Sequence, residues 1–184
     1  WSLGLVAGVV AQVILGALLV KTELDPRFTM GHFLLSMVLL WNAVVLLEKA
    51  KHDGLGAGSG SRLTIWTRLV FVATAVLLVT GTIVTGSGPH SGGDESEVAA
   101  RLPFLVREVT RVHSITAITV LALVLWTVRR AHCDGEYERR EDTMRVMSLL
   151  VAQGAVGYWQ YFTGVPVLLV GVHIALASLA WIQI

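Results

Sequence analysis

AQGAVGYWQYFTGVPVLLVGVH, residues 152–173, combines two apolar helices, a short turn and one histidine. A related stretch, AQVILGALLVKTELDPRFTMGH, occurs at residues 11–32. A shift of 141 positions aligns four identical residue types: Ala11 with Ala152, Gln12 with Gln153, Gly16 with Gly157 and His32 with His173. An internal repeat that returns a histidine to the same place in an apolar helix indicates a functional site.

The composition is that of a membrane protein. Of the 184 residues, 54% are hydrophobic and 15% are charged, and the mean hydropathy is +0.70. A soluble domain carries about 25% charged residues. The formal net charge of +1 argues against a nucleic-acid-binding surface. The single cysteine, Cys133, can form no disulfide within the chain and belongs to no zinc-binding spacing.

Six stretches are long and apolar enough to cross a bilayer, which takes roughly 20 residues each. None of them has Asp, Glu or Lys near its middle. We therefore expect an all-α polytopic membrane protein with six transmembrane helices. The predicted helices lie at about 2–20, 29–48, 64–85, 109–128, 144–162 and 165–184.

The connections divide the chain and predict its orientation. Residues 51–62 form a Gly/Ser linker between one helix hairpin, at 1–50, and a complete four-helix bundle, at 63–184. The excess of Lys and Arg predicts that loops 49–62 and 129–145 are cytoplasmic in a multi-pass protein of the cell membrane. Because the repeat pairs the first hairpin with the last, we expect two further helices upstream and a second, pseudo-symmetric four-helix bundle.

Three histidines, His32, His113 and His173, are predicted about two turns inside their helices. At 1.5 Å per residue this is a depth of about 10 Å, where polar side chains face the bundle interior. Such histidines either hydrogen-bond to a neighbouring helix or bind a ligand. No thiol or carboxylate lies at this depth, which argues against zinc and against a proton relay. Imidazoles on facing helices suit haem iron, with His113 and His173 as the pair and His32 at a second site.

Residues near the histidines give weaker support for haem binding. Small residues follow each histidine by four positions and leave room for a macrocycle, although they are also common in membrane helix contacts. They are Ser36, Ala117 and Ala177. Arg107 and Arg111 precede His113, and they either pair with haem propionates or reach the membrane interface. The Gly-rich loop 85–93 lacks the Gly-Lys-Ser/Thr sequence that ends a phosphate-binding loop, and its His90 is interpreted as solvated.

Four segments, taken together, resemble the haem A synthase family in its actinobacterial form. They are QVILGALLVKTELDPRFTMGHF, VTGTIVTGSGPHSGG, REVTRVHS and AQGAVGYWQYFTGVPVLLVGVH, and the resemblance extends over nearly the whole chain. Members of that family have eight membrane helices in two four-helix bundles. They oxidise a methyl group of haem O to a formyl group and so provide haem A for cytochrome oxidase. The resemblance implies this oxidoreductase activity, with the first two of the eight helices lacking.

The resemblance also implies roles for individual residues. His113 and His173 would ligate a resident haem b, and His32 matches the histidine that holds the iron of the substrate, haem O. The second histidine of the substrate site and the family glutamate have no counterpart, so the catalytic residues stay unknown. The cysteine pairs that some members carry are absent from residues 86–108. We therefore expect this stretch alone to bind one haem and to make no haem A.

The implied partners are the lipid bilayer, an unidentified electron donor, haem O synthase and the cytochrome oxidase assembly machinery. Two other functions stay open. A bis-histidine electron-transfer subunit with haem b would pair histidines across a bundle in the same way. A transporter or assembly scaffold without haem would also be consistent with the internal repeat.

Overall fold

The computed structural model describes residues 2–51, 63–89 and 101–184. In these ranges the chain forms six α-helices and no strand, which confirms the predicted number and order of helices. Most of the predicted linker 51–62, and His90, lie outside the described residues. The helices are α1 (Ser2–Lys21), α2 (Pro26–Lys51), α3 (Leu63–Ser87), α4 (Val106–Cys133), α5 (Tyr137–Phe162) and α6 (Val167–Gln183).

Four of these helices, α1 to α4, are long and apolar enough to cross a membrane. The apolar helix α6 has 17 residues, and α5 begins with charged residues. Large apolar side chains are widely exposed along the helices: Val13 on α1 is 68% exposed and Leu168 on α6 is 78% exposed. Such a surface is compatible with contact to lipid, whereas a contiguous apolar surface of this extent is rare in soluble monomers.

The charged segment 129–145 is mostly helical, contrary to the prediction of a loop. Helix α4 continues to Cys133 and α5 begins at Tyr137, so the connection is only residues 134–136. Charged side chains three or four positions apart pair on the helix surface and support these polar turns. The pairs are Arg130–Asp134 at 3.9 Å, Arg139–Glu136 at 2.7 Å and Arg145–Asp142 at 3.3 Å. Hydrophobicity marks only the apolar part of a helix, so α4 was predicted to end too early and α5 to begin too late.

The helices belong to two compact units. The first unit contains α1, α2, the C-terminal end of α3 from Val79 and the start of α4 as far as Arg111. The second unit contains α3 as far as Leu78, α4 from Val112, and helices α5 and α6. The domain boundary expected at 51–62 stays a prediction, because nearly all of that segment lies outside the described residues.

The hydrophobic core of the second unit lies between α3, α4 and α5. Val120 and Val124, one turn apart on α4, are 0% exposed. They pack with Val70, Leu77 and Val146. These five side chains form the closely packed apolar centre of the second unit. The hydroxyl of nearby Thr127 donates to the carbonyl of Leu123 at 2.8 Å, so this buried polar group is paired.

The two repeat segments fold into equivalent hairpins. Helix α1 packs against α2, and α5 packs against α6. A shift of 141 positions takes the end of α1 at Lys21 to the end of α5 at Phe162, and the start of α2 at Pro26 to the start of α6 at Val167. The repeat seen in the sequence is therefore also a repeat of helix boundaries.

The turns of the two hairpins have the same hydrogen bonds. A threonine follows the first helix in each copy, and its hydroxyl donates to the carbonyl four residues earlier. These bonds are Thr22 to Leu18 at 2.8 Å and Thr163 to Trp159 at 2.8 Å. Two positions further on, a backbone N–H donates to the carbonyl five residues earlier, as in a Schellman motif. These bonds are Leu24 to Leu19 at 2.9 Å and Val165 to Gln160 at 2.7 Å.

Both turns pass through the left-handed region of backbone conformation at the same two positions. The φ angles are 54° and 63° at Glu23 and Leu24, and 79° and 59° at Gly164 and Val165. Only glycine adopts this conformation without a steric cost. Three of the four residues are not glycine, so the shape of the turn is maintained against local preference.

Candidate functional site

His113 on α4 and His173 on α6 lie side by side in the second unit. Their ring centroids are 6.4 Å apart and their ring planes are inclined at 68°. His113 follows the first residue of α4 by seven positions and His173 follows the first residue of α6 by six, so they lie about 10.5 Å and about 9 Å along their helices. The structure therefore brings together the two histidines that the sequence paired. Their role as ligands stays a prediction.

A backbone carbonyl on α3 orients His113. A ring N–H of His113 donates a hydrogen bond to the carbonyl of Leu77. A neutral imidazole has one donor nitrogen and one acceptor nitrogen, so this bond leaves the other ring nitrogen as the acceptor. Metal-ligating histidines commonly have such a carbonyl partner on the nitrogen that does not bind the metal. The hydrophobicity pattern of the sequence did not predict this hydrogen bond between His113 and Leu77.

Gly157 on α5 allows the ring of His173 to pack against the helix backbone. A Cβ added at Gly157 would lie 3.0 Å from Cε1 and 3.5 Å from Nδ1 of His173. The backbone of Gln153, one turn earlier, interacts with the same ring. Nδ1 itself is buried and has no hydrogen-bond partner of normal geometry. The sequence repeat includes this glycine, but nothing in the pattern showed that it contacts the histidine.

His32 occupies the equivalent place in the first unit. A Cβ added at Gly16 would lie 3.5 Å from Cε1 and 3.9 Å from Nδ1 of His32, and this Nδ1 is also buried without a partner. The side-chain amide of Gln12 donates to the carbonyl of His32 at 2.9 Å and is also bonded to the hydroxyl of Ser36. The contact between a glycine and a histidine thus occurs in both hairpins.

The spacing of His113 and His173 fits one metal ion between two imidazoles. With metal–nitrogen bonds of about 2.0–2.1 Å, a centroid separation of 6.4 Å would allow both imidazoles to reach one ion. Among residues 2–51, 63–89 and 101–184, no group of three or more His, Cys, Asp and Glu side chains could hold a metal ion. A pair of imidazoles is one of the ligand sets with which proteins hold haem iron.

Arg107 and Arg111 lie in the first two turns of α4 with their side chains largely exposed. Both are close to Glu108: its Oε1 is 3.0 Å from Nη1 of Arg111 and 3.9 Å from Nε of Arg107. Exposed ion pairs of this kind contribute only about 0–1 kcal/mol, so either arginine can exchange its partner at low cost. Pairing with propionates stays a prediction.

The small residues that follow the histidines have different surroundings. Ala117 packs against the hydrophobic core of the second unit. The hydroxyl of Ser36 donates to the carbonyl of His32 at 2.9 Å. Ala177, which aligns with Ser36 in the repeat, has no hydroxyl with which to make that bond. The structure therefore gives no support, at Ala117 or Ser36, to the prediction that these small residues leave room for a macrocycle.

No protein-family model matches the chain, and neither a curated protein nor a solved structure matches it. Function therefore has to be inferred from the histidines and their surroundings, and the resemblance to haem A synthase stays a prediction.

Proposed function

We propose that the chain is a membrane-embedded haem protein of haem A synthesis, in which His113 and His173 ligate one haem b. The observation that carries the proposal is the 6.4 Å separation of the two imidazole centroids, on helices with apolar surfaces. That separation supports binding of a metal within a macrocycle. The resemblance of the sequence segments then selects the reaction, oxidation of the haem O methyl group to a formyl group.

The residues of the chain would hold and orient this cofactor. Haem iron would supply the redox chemistry when bound, because protein side chains cannot. The carbonyl of Leu77 would keep the proton of His113 on the nitrogen away from the metal. Gly157 would allow His173 to lie against α5 without a steric clash. The apolar side chains of the surrounding helices would exclude water from the site.

His32 would hold the iron of the substrate, haem O, in the first unit. Its ring has the same glycine contact as His173, so the two hairpins would present an imidazole in the same way. The remaining elements of the proposal are six membrane-crossing helices in the cell membrane, with the segments 49–62 and 129–145 on the cytoplasmic side. An electron donor, haem O synthase and the oxidase assembly machinery would be its partners.

A bis-histidine electron-transfer subunit is the alternative, because the same pair of histidines would serve it equally well. The two functions differ in their product. A synthase converts haem O to haem A, whereas an electron carrier leaves its haem b chemically unchanged.

The first experiment tests haem binding. The chain is purified in detergent from cells supplied with haem, and its absorption spectrum is recorded. We expect the Soret and visible bands of a low-spin, bis-histidine haem b. His113→Ala and His173→Ala should each abolish this spectrum, whereas His32→Ala and the exposed control His132→Ala should retain it. A parent protein with no Soret band would overturn the proposal and favour a scaffold without haem.

The second experiment tests the reaction. The protein is expressed in cells that supply haem O, together with any coding sequence that precedes Trp1, and the haems are extracted. Haem A in this extract, and its loss in the His113→Ala variant, would support the synthase. Haem b alone, with an intact low-spin spectrum, would favour the electron carrier.

A further inference from the structure

Two glutamine–histidine pairs at equivalent positions of the repeat have buried polar atoms without hydrogen-bond partners. In the first hairpin these are Oε1 of Gln12 and Nδ1 of His32. In the second hairpin they are Oε1 of Gln153 and Nδ1 of His173. Buried polar groups are rarely left unpaired in folded proteins. Each hairpin thus has one unpaired amide oxygen, which is an acceptor, and one unpaired ring nitrogen, which is a potential donor.

The helix geometry places the members of each pair near one another. Gln153 and Gly157 are four positions apart and therefore lie on one face of α5. A Cβ on that face at Gly157 would lie 3.0 Å from Cε1, 3.5 Å from Nδ1 and 3.9 Å from Nε2 of His173, so Nδ1 is the nearer of the two ring nitrogens. The backbone carbonyl of Gln153 also accepts a weak hydrogen bond from this ring, outside normal hydrogen-bond geometry. Nδ1 of His173 therefore lies near the turn of α5 that contains Gln153.

The first hairpin shows that such a glutamine reaches its histidine. The amide nitrogen of Gln12 donates to the backbone carbonyl of His32 at 2.9 Å. The amide oxygen is bonded to the same carbon as this nitrogen, so it too lies close to His32.

We propose that Gln153 is a positioning residue for His173. The side-chain oxygen of Gln153 accepts a hydrogen bond from Nδ1–H of His173. A neutral imidazole that is protonated at Nδ1 has its free lone pair at Nε2. The bond therefore fixes the ring and presents Nε2 to a ligand. Gln12 has the same role for His32. The tautomer does not depend on haem, whereas the presentation of Nε2 to iron rests on the proposed function.

The two copies differ at one position that affects this bond. Ser36, on the first hairpin, is bonded to the amide nitrogen of Gln12 and holds that side chain in its present orientation. The repeat has Ala177 at the equivalent position, so Gln153 has no such hydroxyl. Gln153 is therefore freer to turn its oxygen to the ring, and we expect the stronger histidine bond in the second hairpin.

The first test measures the tautomer without haem. Haem-free protein labelled with ¹⁵N-histidine is studied by NMR at a pH above the usual histidine pKa, and the His173 signal is identified by its loss in His173→Ala. We expect His173 to carry its proton on Nδ1 in the parent and to shift toward the Nε2–H form in Gln153→Leu. Gln160→Leu is the matched control. It lies on the same helix, also has a buried unpaired Oε1, and acquires the residue found at the equivalent Leu19. An unchanged tautomer in Gln153→Leu would overturn the proposal.

The second test uses haem-loaded protein and measures its midpoint reduction potential. An acceptor on the distal nitrogen makes the histidine a more basic ligand, and loss of such partners typically weakens metal binding 10–100-fold. We expect Gln153→Leu to favour the reduced form by about tenfold, which is a rise of 59 mV for a one-electron couple. Gln153→Glu retains an acceptor and should give no rise.

The outcomes separate this inference from the proposed function. Equal rises in Gln153→Leu and Gln153→Glu would show a packing effect and overturn the inference, as would loss of haem from both variants in folded protein. A parent that binds no haem would overturn the proposed function alone, since the tautomer measurement still decides the role of Gln153.

Discussion

Substitution of Gly157 by alanine tests whether the contact between α5 and His173 matters. The added Cβ would lie 3.0 Å from Cε1 of His173, which is closer than nearly all real Cβ contacts. The ring would have to move by a few tenths of an ångström to reach ordinary van der Waals distance. Gly154, one turn earlier on α5, and Gly16, in the first hairpin, provide matched comparisons.

The expected magnitude follows from two opposing effects. Overpacking of a well-packed site costs about 1–3 kcal/mol, while replacing glycine by alanine within a helix gains about 0.8–1.0 kcal/mol in helix propensity. The first effect acts on the position of His173, and the second acts on the helix alone. We therefore expect the affinity for haem to fall by about 1–2 kcal/mol, which is roughly 5- to 30-fold.

The assay is a haem titration of the haem-free protein, followed by the Soret absorbance. Gly154→Ala should bind haem as the parent does, because nothing lies within 4 Å of its added Cβ. Gly16→Ala should be tolerated, because its Cβ would be 3.5 Å from Cε1 of His32, an ordinary contact. If Gly157→Ala binds haem as tightly as Gly154→Ala, the reasoning about this contact is wrong.

Three further predictions concern the hairpins. Glu23→Gly should raise the free energy of unfolding by about 1 kcal/mol and Gly164→Glu should lower it by about 1 kcal/mol, because both positions have a positive φ angle that only glycine adopts without strain. Thermal unfolding followed by circular dichroism should show the two midpoints moving in opposite directions. A change of the same sign in both variants would contradict this prediction. The hydrogen bond from the Arg27 side chain lowers the pKa of Asp25. The stabilisation is therefore complete above the usual aspartate pKa of about 3.9 and is lost as the pH falls through the lowered pKa. Asp25→Asn should lack this acid-dependent loss in melts at several pH values. Ser36→Ala should cost about 1 kcal/mol in denaturant unfolding, since it removes one hydrogen-bonded hydroxyl, and a neutral result would show that Gln12 finds another partner.

The sequence was sufficient for the number and order of the helices and for the place of each histidine along its helix, because both depend on local patterns. Long apolar segments between polar turns have few alternatives to a helix in a membrane. Once the helices are located, the position of each histidine along its helix is a matter of counting. His113 and His173 were paired on this basis, and their rings are neighbours in the second unit.

The contacts that orient the histidines could not be predicted in the same way. The carbonyl of Leu77 is a backbone group on a third helix, so residue identity gives no sign of its role. Gly157 was visible only as one of several aligned residues. The extension of α4 and α5 across the charged segment depends on pairs of side chains such as Arg139 and Glu136. A hydropathy pattern predicts a loop for such charged residues.

The two turns explain why the hairpins present their histidines alike. Leu24 and Val165 keep left-handed backbone angles that cost a residue with a side chain about 1–2 kcal/mol each, and strain of this kind persists only where the surroundings require it. Each turn fixes the first residue of the next helix, and the histidine follows that residue by six positions in both copies. A helix that began one residue later in the same place would rotate its histidine by about 100° and shift it by about 1.5 Å. The ring would then no longer face Gly16 or Gly157, so the strained turn sets the direction of the imidazole.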